Sequence, residues 1–114
     1  PRDKAHPGSQ TRDFIYIDDV VSAYDTLLKQ RYQLDIAQDI EVGSGVAPSI
    51  RQFVETAHRL TESQTALLFG ALPYRANEAM HCLANVTRMA QLGWAPAFDL
   101  HAGLKKTIKL EFKQ

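Results

Sequence analysis

Most of the chemistry open to this chain rests on a few arginines, aspartates and glycines gathered in short stretches. Arg12 stands in GSQTRDFIYIDD, residues 8–19, and Arg75 in LPYRANEAMHCLANVTRMAQLGW, residues 72–94. A guanidinium is planar and permanently charged, and it can hold two phosphate or carboxylate oxygens at once, a geometry lysine lacks. The plainer role for either arginine is a surface charge or a salt-bridge partner. Asp13, Asp18 and Asp19 crowd the ends of the apolar run Phe14–Ile17. Clustered carboxylates suit a metal ion or an acid/base pair, but an acid after Arg12 and acids at a helix start also satisfy backbone donors, and that structural role is favoured here. His6, His58, His81 and His101 show no pair at ligand spacing, and Cys82 has no second thiol, so no metal is expected.

Gly43-Ser-Gly45-Val-Ala-Pro48 follows a strand-like segment and precedes a helix-like one, with Glu62 about twenty residues on. That is the setting of a dinucleotide-phosphate loop. The third glycine is missing, however, and Pro48 stands where close helix–strand packing needs a residue without a side chain. A tight turn before a capped helix is the better reading.

The elements that must position these residues alternate between strand and helix patterns. Phe14–Ile17, Asp39–Val42 and Thr65–Phe69 read as short strands. A helix is expected from about Asp19 to Lys29, on the spacing of Val20, Ala23, Tyr24, Leu27 and Leu28. Ser49 and Gln52 have capping-box spacing ahead of Ile50, Phe53, Val54, Ala57 and Leu60. Asn85 is expected to cap a short helix ending at Gly93, and Asp99 to cap a last helix carrying Leu100, Leu104 and Ile108. Trp94 and Phe98 read as core anchors, whereas Tyr74 suits either packing or stacking. The expected fold is thus a small α/β mixed domain of about three short strands and four helices, with residues 1–10 a flexible N-terminal segment and residues 11–114 the folded domain.

Composition narrows the function classes. At 114 residues, 45% hydrophobic and 23% charged, the chain fits one globular domain that buries roughly 65% of its unfolded surface. No apolar run reaches the roughly 20 residues that cross a bilayer, and PRDKAHPGSQ lacks the apolar core of a secretory signal. With one cysteine as well, a cytoplasmic setting is the expectation. Thirteen basic residues balance thirteen acidic ones without a basic stripe, so nucleic acid and membrane are not expected partners.

In order, TRDFIYIDDV, IEVGSGVAPSI, LPYRANEAMH, LGWAP and a closing amphipathic helix resemble the C-terminal, substrate-binding part of the extended short-chain dehydrogenase/reductase family, the NAD(P)-dependent nucleotide-sugar epimerases and dehydratases. The resemblance covers nearly the whole chain from Gly8 onward. It implies the small substrate domain of that family without its Rossmann domain. It also implies that Arg12 and Arg75 meet a substrate diphosphate, that Glu78 lies near the nucleotide ribose, and that Tyr74 belongs to the same site. The family's chemistry uses a tyrosine with a lysine four residues later to exchange a proton while NAD(P) takes hydride. Here Tyr16, Tyr24, Tyr32 and Tyr74 are followed at that distance by Val20, Leu28, Ile36 and Glu78. The expectation is therefore a nucleotide-sugar-binding portion that is inactive and binds no NAD(P) by itself. Its expected partner is a homodimer mate or a missing Rossmann domain. The alternative is a stand-alone, non-catalytic binding or oligomerisation module derived from that domain.

Overall fold

In a computed structural model, residues 8–35, 38–69 and 80–112 are described. Their elements run β1 (Thr11–Arg12), α1 (Ile17–Lys29), a 3-10 turn (Arg31–Gln33), α2 (Ile50–Leu60), β2 (His81–Cys82), α3 (Thr87–Gln91) and α4 (Leu100–Glu111). The two strands form a parallel pair in which Thr11 faces His81 and Arg12 faces Cys82. An isolated antiparallel bridge joins Thr11 to Ser49.

The helices start and stop largely where local chemistry dictates. Ser49 accepts from the Gln52 amide at 3.0 Å while the Gln52 side chain accepts from the Ser49 amide at 2.8 Å, closing the capping box at the head of α2. Asp99 accepts from the Ala102 amide at 2.7 Å and caps α4. Asn85 bonds the Thr87 amide at 3.0 Å, although Val86 is the N-cap residue of α3. Gly93, at φ +90°, ends that helix in the left-handed region. At the head of α1 the expectation was two residues late: the helix begins at Ile17, with Asp18 and Asp19 in its first turn.

Two strands are found among the described residues, not three, and neither lies where the apolar runs put them. Phe14 to Tyr16 and Asp39 to Val42 form no strand, and Thr65 to Phe69 is irregular. The reason is visible at Phe14–Tyr16, whose side chains alternate as a strand's would but are held by packing instead of a ladder. Phe14 stacks on Phe53 of α2 with ring centroids 4.1 Å apart, and Tyr16 meets Phe98 ahead of α4 at 4.6 Å. Ile15 points the other way, onto the buried cluster of Ala23, Met89, Leu92 and Trp94. Ile40 and Val42 pack on that same cluster. The Phe14–Tyr16 segment packs on both sides, but the hydrogen-bonding neighbour a strand requires is not supplied by the described residues.

α2 and α4 pack together on the far side of the Phe14–Tyr16 segment. Gly103 of α4 permits this approach, since a Cβ there would stand 3.3 Å from that of Tyr16. Among the described residues no helix is long and apolar enough to cross a membrane.

Candidate functional site

Arg12 closes β1, and its register partner is Cys82. The Thr11 amide donates to the carbonyl of Met80 at 2.7 Å, and the Thr11 hydroxyl lies 2.9 Å from the His81 ring nitrogen Nδ1. The segment carrying Arg12 is thereby fixed beside residues 80–82. The half-buried guanidinium donates to the Thr11 carbonyl at 2.7 Å. Arg75, Glu78 and Tyr74 lie outside the described residues. Of the sequence-derived site, then, the structure describes Arg12 and the chain from Met80 onward.

The best-connected polar group beside Arg12 is Asp13. Its Oδ1 accepts from the Ser44 amide at 2.7 Å and the Ser44 hydroxyl at 2.6 Å, and its Oδ2 accepts from the amides of Gly45 at 3.0 Å and Ala84 at 3.2 Å. Partial burial by itself would raise the carboxyl pKa, but the bonds from Ser44, Gly45 and Ala84 outweigh it and hold the group below its ordinary 3.8. One side chain thus ties the end of β1 to the glycine turn and to the loop after β2.

That arrangement explains both glycines. A Cβ on Gly43 would lie 2.5 Å from the Ala84 Cβ and 2.7 Å from Asp13 Oδ2, so nothing larger than hydrogen fits there. Gly45 takes φ +79°. Two adjacent amides, those of Ser44 and Gly45, converge on a carboxylate from the same chain. The turn is an anion nest already filled from within.

The other clustered acids are also committed to structure. Asp19 is buried and accepts from the Ala97 amide at 2.9 Å and the Phe98 amide at 3.1 Å, joining α1 to the loop before α4. Asp18 pairs with Lys106 of α4 at 2.9 Å. Trp94, buried as expected, donates its indole N–H to the Ser22 hydroxyl at 2.9 Å. No group of three His, Cys, Asp or Glu able to hold a metal occurs among the described residues. Sequence reasoning gave Asp13 a structural role satisfying backbone donors but did not name its partners, which lie in the glycine turn and after β2.

Comparisons with known proteins point one way. Residues 2–43 match the model of the NAD dependent epimerase/dehydratase family. The CDP-abequose synthase of Salmonella muenchen is 37% identical over 102 residues, a span that is 90% of this chain and 34% of that protein. The dTDP-4-dehydro-6-deoxyglucose reductase of Escherichia coli is 32% identical over 98 residues, covering 86% and 30% respectively. Among solved structures, a GDP-6-OMe-4-keto-L-xylo-heptose reductase from C. jejuni superposes with a TM-score of 0.78 at 20% identity, over 94% of this chain and 32% of that one. The chain spans about a third of the length of the curated relatives it matches.

Proposed function

We propose that this relative of the NAD-dependent nucleotide-sugar epimerases and dehydratases is the portion of such a protein that grips the nucleotide diphosphate. Arg12 and Arg75 hold the phosphates, Glu78 accepts from the ribose hydroxyls, and Tyr74 flanks the nucleotide. The observation that carries this reading is the parallel pairing of Thr11–Arg12 with His81–Cys82. It runs the first arginine segment beside the chain that leaves the second, three residues after Glu78, as one shared site requires. The relatives' names carry CDP, dTDP and GDP, so a diphosphate grip common to all three is the conservative assignment.

In this reading the chain by itself performs no hydride transfer. It contains no tyrosine with a lysine four residues on, and the amides of its one Gly-x-Gly turn are engaged by Asp13. Pro48 further disfavours a cofactor phosphate there. The residues present do not fit NAD(P), and cofactor chemistry is assigned to the rest of a longer, cytoplasmic protein.

Amide-shift titration with UDP, GDP, CDP and dTDP tests the proposal. Half a site lacks the preorganisation of the whole, so the expected Kd is no tighter than roughly 0.1–1 mM. Arg12→Ala and Arg75→Ala should each weaken binding about tenfold, the value of one charge-assisted contact. Shifts that avoid both residues 8–19 and 72–82 would show the site to be misassigned. A micromolar calorimetric signal with NADH would overturn the cofactor reading.

A second reading is favoured by one observation. Ile17, Val21, Tyr24 and Leu28 of α1 are each more than 60% exposed and fall at helical spacing. A module that pairs through this stripe would serve assembly without catalysis.

A further inference from the structure

A second cleft in the described structure is not lined by Arg12. It lies between α2 and the loop entering α4, has a volume of about 590 Å³, and falls within the size range of small-molecule sites. Phe14, Pro48, Pro96 and Phe98 supply much of its apolar wall. Five polar side chains also line it, and three are already engaged. Ser44 bonds Asp13, Thr56 donates to the Gln52 carbonyl at 2.7 Å, and Asp99 caps α4. Arg59 and His101 are different: both line the cleft, and neither side chain has a hydrogen bond or ion pair with any described residue. The one carboxylate lining the cleft, Asp99, is held by the Ala102 amide.

We propose that this cleft binds a small aromatic anion, a planar ring carrying one phosphate or carboxylate, with the ring against the Phe14, Pro48 and Phe98 wall and the charge on Arg59 and His101. An apolar wall alone would accept any greasy molecule, and a lone arginine any anion. Their combination in one cleft selects a ligand with both features. A guanidinium can take two oxygens of the charged group, and Arg stacks readily on aromatic planes. The site is separate from the diphosphate grip at Arg12, and it stands or falls independently of that assignment.

Phenyl phosphate is the probe, titrated into the ¹⁵N-labelled chain beside its two halves, inorganic phosphate and phenol. Phenyl phosphate should shift the amides of residues 44–46, 57–59 and 97–102, with neither half reproducing the effect at equal concentration. Arg59→Gln should weaken binding about tenfold, and His101→Ala about threefold, as expected for loss of one exposed charged contact and one weaker contact. Both positions are exposed, and an otherwise unchanged spectrum verifies that each variant is folded. No shift up to about 10 mM, a level at which even weak sites fill, overturns the proposal. So does an affinity unchanged in Arg59→Gln, or inorganic phosphate acting as well as the ester. Shifts confined to residues 8–12 and 80–82 would also overturn it, while leaving the diphosphate reading intact.

Discussion

Asp13 shows how a residue beside a candidate binding group can be wholly given to architecture. Four donors from Ser44, Gly45 and Ala84 converge on its two oxygens, so replacing one oxygen by an amide nitrogen would set donor against donor. Asp13→Asn should therefore cost about 2 kcal/mol, as expected for losing charge-assisted bonds and stranding amides. A lowered urea midpoint at pH 7 measures it. The pH dependence follows from the direction of the shift. The folded pKa lies below the unfolded value near 3.8, so the stability Asp13 contributes is present above about pH 4 and is lost as pH falls through the folded pKa. Wild type and Asp13→Asn should accordingly converge in stability under acid. A gap between them that persisted at low pH would show that packing, not charge, explains the loss.

At the scale of elements, local signals were legible wherever a contact spans only a few residues. The Ser49–Gln52 capping box, the Asp99 cap and the Gly93 stop all stand where the sequence put them, because each involves partners within about four positions. Ser49→Ala should cost about 1 kcal/mol, the usual value of an N-cap, and Gln52→Ala somewhat less. Helicity followed by circular dichroism during thermal unfolding checks both, and equal stability of Ser49→Ala and wild type would mean that tertiary packing alone holds α2. Strands were less legible. Phe14–Ile17 and Asp39–Val42 carry the right alternation, but a strand is defined by a neighbour, and Ile15, Ile40 and Val42 reveal only which side is buried. The strands that do pair, Thr11–Arg12 and His81–Cys82, are too short and polar to announce themselves. The site shares this pattern. Arg12 was singled out as a candidate by its motif, whereas its neighbours in space depend on a pairing across about seventy residues.

The whole molecule is thin. Its principal extents are 50 × 44 × 16 Å and its radius of gyration is 16.9 Å, against about 13 Å for a compact domain of this length. It exposes 8495 Å², where a folded chain of its mass should expose about 6,300 Å². Among the described residues the buried hydrophobics are Ala23, Met89, Leu92 and Trp94, so little of the apolar surface is removed from water by the chain itself. The α1 stripe of Ile17, Val21, Tyr24 and Leu28 is the clearest uncovered face, and such faces are usually covered by a partner. We propose that the rest of a longer protein covers it, and that a second copy does so when the chain is alone. Light scattering at micromolar concentration should give twice the 12.8 kDa chain mass, and Val21→Glu, at an exposed position, should return the monomer. A concentration-independent mass near 12.8 kDa would refute this self-association.

What the sequence determined by itself was everything governed by near neighbours and by residue type: the four helices, the Ser49 and Asp99 caps, a turn at Gly43–Gly45, and the absence of a Tyr/Lys pair. The resemblance carried by four ordered motifs also came from the sequence, and it agrees with the family match and the relatives. Tertiary structure alone decided that Asp13 fills the glycine nest, that Asp19 anchors the loop before α4, and that Arg12 lies level with Cys82. It also put Arg59 and His101 in one cleft. Each of these depends on where distant segments meet, and that is set by the summed packing of α1, α2, α3 and α4 around the Phe14–Tyr16 segment, which no local pattern encodes.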